Sequence, residues 1–215
     1  MIVMPSNNSG IRVGWLAGKY PGRLGWLMGI NGYRTPPDFM PAALDNGAYP
    51  AWVKNEQWDE CAWWAMLEVA TSEFRPIWAV VPDVVTDAAG TLGKWEHWAP
   101  IMRDRFPHLP LALAVQDGME PDDPKNADYI FVGGSTEWKW RNLRVWTDAF
   151  PGVVHVGRVN TERLLWMAHR AGAVSCDGTG WFRGDRSQLE GLHRYLKHST
   201  TQHGHPQMIL EGVEQ

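Results

Sequence analysis

Several short apolar runs in this chain end on a residue that can do chemistry, or on glycine. Asp45 follows "AAL", Asp83 follows "WAVVP", and Gln116 and Asp117 follow "LALAV". Gly133 and Gly134 follow "YIFV", Arg158 follows "VVHVG", and Asp177 follows "AVSC". An ionised carboxylate at the end of a buried run is costly unless something uses it. Carboxylates gathered beside an amide supply the groups for proton transfer or covalent catalysis. Taken singly, each has a plainer reading. Asp87 and Asp117 read as helix caps or turn residues, and Asp45-Asn46-Gly47 reads as a turn. One rule obeyed at six strand ends points instead to a shared site.

The runs themselves are nearly continuous in apolar character, as parallel strands covered on both faces are. "MIVMPS" reads as the first strand, "AAL" as the second, and five more follow residue 70. Helical patterns lie between them. One covers about Glu56–Ser72. In another, Asp87 caps a face of Ala88, Leu92 and Trp95. In a third, Asn160 or Thr161 caps Leu164, Ala168 and Ala171, and Gly172 ends it. Strand and helix in alternation predict a parallel sheet. In a barrel the strand ends converge on one face, and in an open sheet they line one crevice. The expectation is an α/β fold: a compact (β/α)8 TIM-type barrel in one domain spanning 1–215, irregular at its termini. Seven strands are one short of eight. "QMIL" in the tail, which is polar from about residue 199, is the candidate for the last. The Gly-rich stretch Ile11–Asp38 reads as a long irregular loop.

The 215 residues carry a formal net charge of −4, which does not mark a nucleic-acid binder. Arginines and lysines nevertheless gather between Lys139 and Arg186. No apolar run reaches the roughly 20 residues of a membrane span, and "MIVMPSNNSG" lacks signal-peptide character, so a cytoplasmic location is expected. The two cysteines, Cys61 and Cys176, read as small, reduced, buried residues. "GLHRYLKHSTTQHGH" holds four histidines without an i, i+4 pair backed by a carboxylate, so no metal site is expected. Neither a phosphate loop, GxSxG nor the zinc-deaminase signature occurs. Most of the fourteen tryptophans read as core, with Trp138, Trp140 and Trp181 as candidates for stacking on bases.

The ordered set of strand ends resembles the tRNA-guanine transglycosylase superfamily, and within it the DpdA-type 7-deazaguanine DNA transglycosylases of phages and bacteria. "LDNGAY" is similar to the superfamily's Asp-Ser-Gly-Gly/Ala-Phe element, and "VVPDVV", "AVQDGM" and "FVGGS" fall in order behind it. "HVGRVNTERLLWMAHRAGAVSCDGT" resembles the segment leading to the nucleophilic aspartate. The resemblance runs from about Leu44 to Thr179. It implies a barrel that replaces guanine in DNA with a 7-deazaguanine, without cofactor or metal. Asp177 would attack the sugar C1′ and form a covalent glycosyl-enzyme, and Asp45 would be the general base. Asp83, Gln116, Gly133, Gly134 and Arg158 would bind the substrate. In that scheme Gln116 and the Gly134 N–H address the O6 side, and the glycines after Asp177 leave room for a nucleotide. Arg183, Arg186, Lys139 and Arg141 would contact the nucleic acid, helped by Arg12, Lys19, Arg23 and Arg34 in the Ile11–Asp38 loop. The target nucleotide would be flipped out of the duplex.

Two departures favour DNA over tRNA. Two cysteines cannot form the Cys3His zinc site of the tRNA enzymes, and the chain is far shorter. The family's glutamate after the paired glycines has only Glu137 near it, at a different offset. The same exchange on tRNA, a non-catalytic nucleic-acid-binding relative and an unrelated small-molecule barrel enzyme are the alternatives. Homo-oligomerisation or an accessory protein is left open.

Overall fold

The computed structural model describes residues 1–6, 10–183 and 186–199. Eight strands, all parallel, stand in the spatial order 1-8-7-6-5-4-3-2. They are β1 (Ile2–Pro5), β2 (Trp26–Met28), β3 (Ala42–Leu44), β4 (Ala79–Val80), β5 (Leu111–Val115), β6 (Tyr129–Val132), β7 (Val154–Val156) and β8 (Ser175–Gly178). The seam between β1 and β2 carries two isolated parallel bridges, Val3 with Leu24 and Ser6 with Leu27. The result is a nearly closed (β/α)8 TIM-type barrel. Among the described residues it has seven helices: α1 (Ile11–Lys19), α2 (Ala48–Lys54), α3 (Glu60–Glu73), α4 (Ala88–Arg105), α5 (Thr136–Ala149), α6 (Glu162–Ala171) and α7 (Arg186–Ser199). The crossovers β2–β3 and β5–β6 contain no α-helix.

Strand alternation divides the apolar residues into two cores. Leu111, Leu113 and Val115 of β5 pack outward under the helices, as do Val154, Val156 and Cys176. Met4, Leu27, Ala43, Trp78, Val80, Ala112 and Ala114 point inward and fill the lumen, with Tyr129 and Phe131 against them. Three inward alanines leave the room that Trp78 occupies. Helix ends follow local chemistry. The Asp87 carboxylate accepts from Gly90 N–H at 3.0 Å and opens α4. Thr161, rather than Asn160, caps α6, and Gly172 ends it at φ +99°. Of the expected α6 face, Ala168 is buried, but Leu165 takes the place of Leu164.

The stretch Ile11–Asp38 is not one irregular loop. It contains α1 and the missing eighth strand, β2. The α1 signal is present in the sequence: Val13, Leu16 and Ala17, at i, i+3 and i+4, are its buried residues. Gly14 and Gly18 mask it by weakening helix propensity. β2 is only three residues long and lies behind Gly25. The "QMIL" candidate lies outside the described residues. Cys61 is exposed on the first turn of α3, against expectation, whereas Cys176 is buried. No helix among the described residues is long and apolar enough to cross a membrane.

Candidate active site

A cavity of about 750 Å3 opens at the C-terminal ends of the strands. Asp45, Asp83, Gln116, Gly133, Gly134, Arg158 and Asp177 all line it, so the structure brings the strand-end residues together, Asp117 excepted. Its floor is aromatic. The buried His155 ring stacks on Phe131 at 4.8 Å and meets the edge of Trp78 at 4.8 Å. Because β7 alternates, Val154 and Val156 face outward and His155 faces the lumen.

Asp177 stands inside β8, paired in register with Met4. Its carboxylate accepts from Ser6 Oγ at 2.9 Å and from Arg158 N–H at 3.1 Å. His155 Nε2 lies 3.2 Å from its Oδ1. Arg158 reaches this geometry at φ +61°, a left-handed conformation uncommon for a residue with a side chain. Its guanidinium donates to the Gly134 carbonyl and lies 4.6 Å from the Tyr49 ring centre.

Asp83 is 8% exposed and held on both oxygens. Asn46 Nδ2 donates to one at 2.8 Å, and Gln116 Nε2 to the other at 2.6 Å. Burial raises its pKa, opposed by the Asn46 hydrogen bond, the Lys94 charge and the Gln116 hydrogen bond. The Gln116 carbonyl oxygen accepts from the N–H groups of Thr86 and Gly134, at 2.9 and 3.0 Å.

Asp45 is treated differently. Its carboxylate accepts from the backbone of its own turn, from Gly47 N–H at a long 3.4 Å and from Asn46 N–H. Burial pushes its pKa up to about 7, and the charges of Asp177 and Asp83 add to the rise. It therefore exchanges protons near neutrality.

Several expected roles change. Gly134 N–H already donates to Gln116, so it does not face a ligand. Gly134 is explained by its φ of +65° and by Asp117 and Trp138, which a Cβ would meet at 2.5 and 2.8 Å. Gly178 lies against the Val159 carbonyl, where a Cβ would meet its oxygen at 2.5 Å, and Gly180 lies against Gln188. These two glycines fit close packing rather than room for a nucleotide. Asp117 receives both the N–H and the hydroxyl of Ser135, tying β5 to the start of α5.

Lys139 is a correction. It is 1% exposed and donates to the Gly157 carbonyl, so it cannot meet a nucleic acid. Burial, reinforced by Arg158 and opposed by Asp177, lowers its pKa to about 7. Trp181 is buried, and Trp138 and Trp140 pack against the outer core, which removes a stacking role for Trp181 and weakens it for the other two. Glu137 is exposed and paired with Arg141 at 2.5 Å, away from the cavity lining. Arg186 pairs with Glu190 at 2.8 Å. Arg183 does line the cavity. Lys19 ends α1 and Arg23 precedes β2, which puts both at the opposite rim, and Arg23 donates to Ser199 Oγ at 2.6 Å.

Ser6, Asn46, His155 and Ser175 were not singled out in the sequence. His155 had a signal: a polar residue in the middle of "VVHV" must face either helix or lumen. No known protein-family model matches the chain, and no curated protein matches it. Among the described residues no group of three His, Cys, Asp or Glu side chains is placed to hold a metal ion.

Proposed function

We propose that this protein is a pentosyltransferase that exchanges guanine in DNA for a 7-deazaguanine base, through a covalent Asp177–glycosyl intermediate. One observation carries the reading. The cavity sets an oriented carboxylate, Asp177, opposite Asp45, a carboxylate that titrates near 7. Two carboxyl groups in different environments are the pattern of a double displacement at a sugar carbon. The order of strand-end motifs, similar to the transglycosylase superfamily, supplies the base-exchange chemistry. The cavity volume lies within the ~300–1,000 Å3 of small-molecule sites.

In the first step an Asp177 oxygen bonds to C1′ as the bond from C1′ to guanine breaks, and Asp45 in its acid form gives the leaving base a proton. In the second, the ring nitrogen of the incoming 7-deazaguanine loses its proton to Asp45 and bonds to C1′, and the Asp177 ester breaks. Asp45 returns to its starting state, and two inversions retain configuration. A pKa near the working pH suits a group that must give and then take a proton. Each Asp83 oxygen keeps a lone pair beyond its protein partner, enough to accept from guanine N1–H and the 2-amino group. Arg158 and Arg183, at the cavity edge, would meet the phosphates.

The test is nucleoside mass spectrometry of DNA incubated with the protein and a 7-deazaguanine base, with tRNA in parallel. The expected result is a 7-deaza-2′-deoxyguanosine in DNA and free guanine in equal amount. Incorporation into tRNA alone would transfer the reading to RNA. Guanine release with no incorporation would make the protein a hydrolase.

A further inference from the structure

Ser175, His155 and Asp177 form a hydrogen-bonded line across the lumen faces of β8 and β7. His155 and Ser175 are register partners. His155 Nδ1 lies 2.8 Å from Ser175 Oγ, and Nε2 lies 3.2 Å from Asp177 Oδ1. The ring cannot turn freely, since Phe131 covers one face and the Trp78 edge abuts it. Burial lowers the imidazole pKa, opposed by Asp177 and aided by Lys139. A neutral imidazole has one donor nitrogen and one acceptor. Asp177 is the partner that must receive, so Nε2 carries the proton and Nδ1 accepts from the Ser175 hydroxyl. Ser6 fixes the other carboxylate oxygen.

We propose that Ser175 and His155 are positioning residues that aim the Asp177 carboxylate into the cavity, Ser175 by selecting the Nε2–H tautomer of His155. The catalytic consequence rests on the transglycosylase reading, but the tautomer chain does not. Neither residue touches substrate, because both lie below Asp177. The charged and titratable groups near this line are Lys139 from α5, Asp45 across the cavity, the Arg158 turn and, on the outward face of β8 between Ser175 and Asp177, Cys176.

The decisive measurement is long-range 15N–1H correlation of the histidine rings in labelled protein between pH 5 and 9. The Nε2–H tautomer of His155 is expected throughout, becoming a mixture in Ser175→Ala. A dominant Nδ1–H tautomer or an imidazolium in the unaltered protein would overturn the proposal. The second measurement is the pH dependence of base exchange. His155→Gln, which can place an amide N–H near the Nε2 position, should retain most activity. His155→Leu should lose roughly 10–100-fold, as loss of an orienting partner does elsewhere, and its acidic limb should move to higher pH. Equal losses in both variants with an unmoved limb would mean a purely structural histidine. A protein that exchanges no base at all would sink the transglycosylase reading, while the ring spectra would still decide this one.

Discussion

The two walls of the cavity each present a carboxylate and treat it in opposite ways. On the wall of β7, β8 and β1, Asp177 is gripped by Ser6, His155 and the Arg158 N–H. On the wall of β3, Asp45 accepts from backbone N–H groups of its own turn, the Gly47 contact a long 3.4 Å, and faces two other carboxylates. Identical side chains so differ in chemistry because one is oriented by donors while the other is left desolvated among like charges. Fixed geometry suits a nucleophile that must meet one carbon, and a raised pKa suits a group that trades protons.

The largest test of that contrast is Asp177→Asn. It keeps shape and an acceptor for His155 but removes the proposed nucleophile, so base exchange should fall by roughly 10⁴–10⁶-fold, with no trapped protein–DNA adduct on denaturing gels. Asp45→Asn should cost less, about 10²–10⁴-fold, and should erase the inflection near pH 7 that the raised Asp45 pKa predicts for the unaltered protein. An inflection that survives in this variant would break the contrast between the walls.

Asp45→Asn should also stabilise the fold in a pH-dependent way. The carboxyl shifts from 3.8 to about 7 on folding. The folded state therefore holds the proton more tightly, and stability falls as pH rises between those values. Above the folded value the penalty is complete, of order 1–3 kcal/mol after allowance for water in the cavity. Melting curves at pH 4 and pH 8 should show little gain at the first and the full gain at the second. An equal gain at both would argue against a strained Asp45.

Asp83→Asn keeps the volume but replaces acceptor oxygen with an amide. It should weaken discrimination between guanine and adenine by roughly 1–3 kcal/mol, as losing a paired polar contact does, read as the ratio of their kcat/KM values. The smallest effect is expected at the rim, where Arg141 and Glu137 form an exposed pair. Arg141→Ala should change stability by less than about 0.5 kcal/mol, and any loss of DNA affinity should fade with added salt.

Much of this arrangement is legible in the chain itself. Continuous apolar runs separated by helical patterns specify parallel strands, and parallel connectivity places every strand end on one face. That is why the sequence alone groups Asp45, Asp83, Gln116, Arg158 and Asp177. The eighth strand escaped because three residues behind a glycine carry too little pattern, and its helix is diluted by Gly14 and Gly18.

What only the tertiary structure decided is environment. Sequence puts Lys139 among basic residues, but α5 turns it inward under Gly157, and burial rather than charge then governs it. Sequence gives Gly134 a free N–H, but Gln116 claims it. Asn46 reads as a turn residue, and folding gives it an Asp83 oxygen. His155 is one polar residue within an apolar strand, and barrel closure sets it between Ser175 and Asp177. Strand periodicity fixes which way a side chain points. Its protonation and partners depend on groups brought near it from distant parts of the chain, and desolvation acts only once those groups have closed around it.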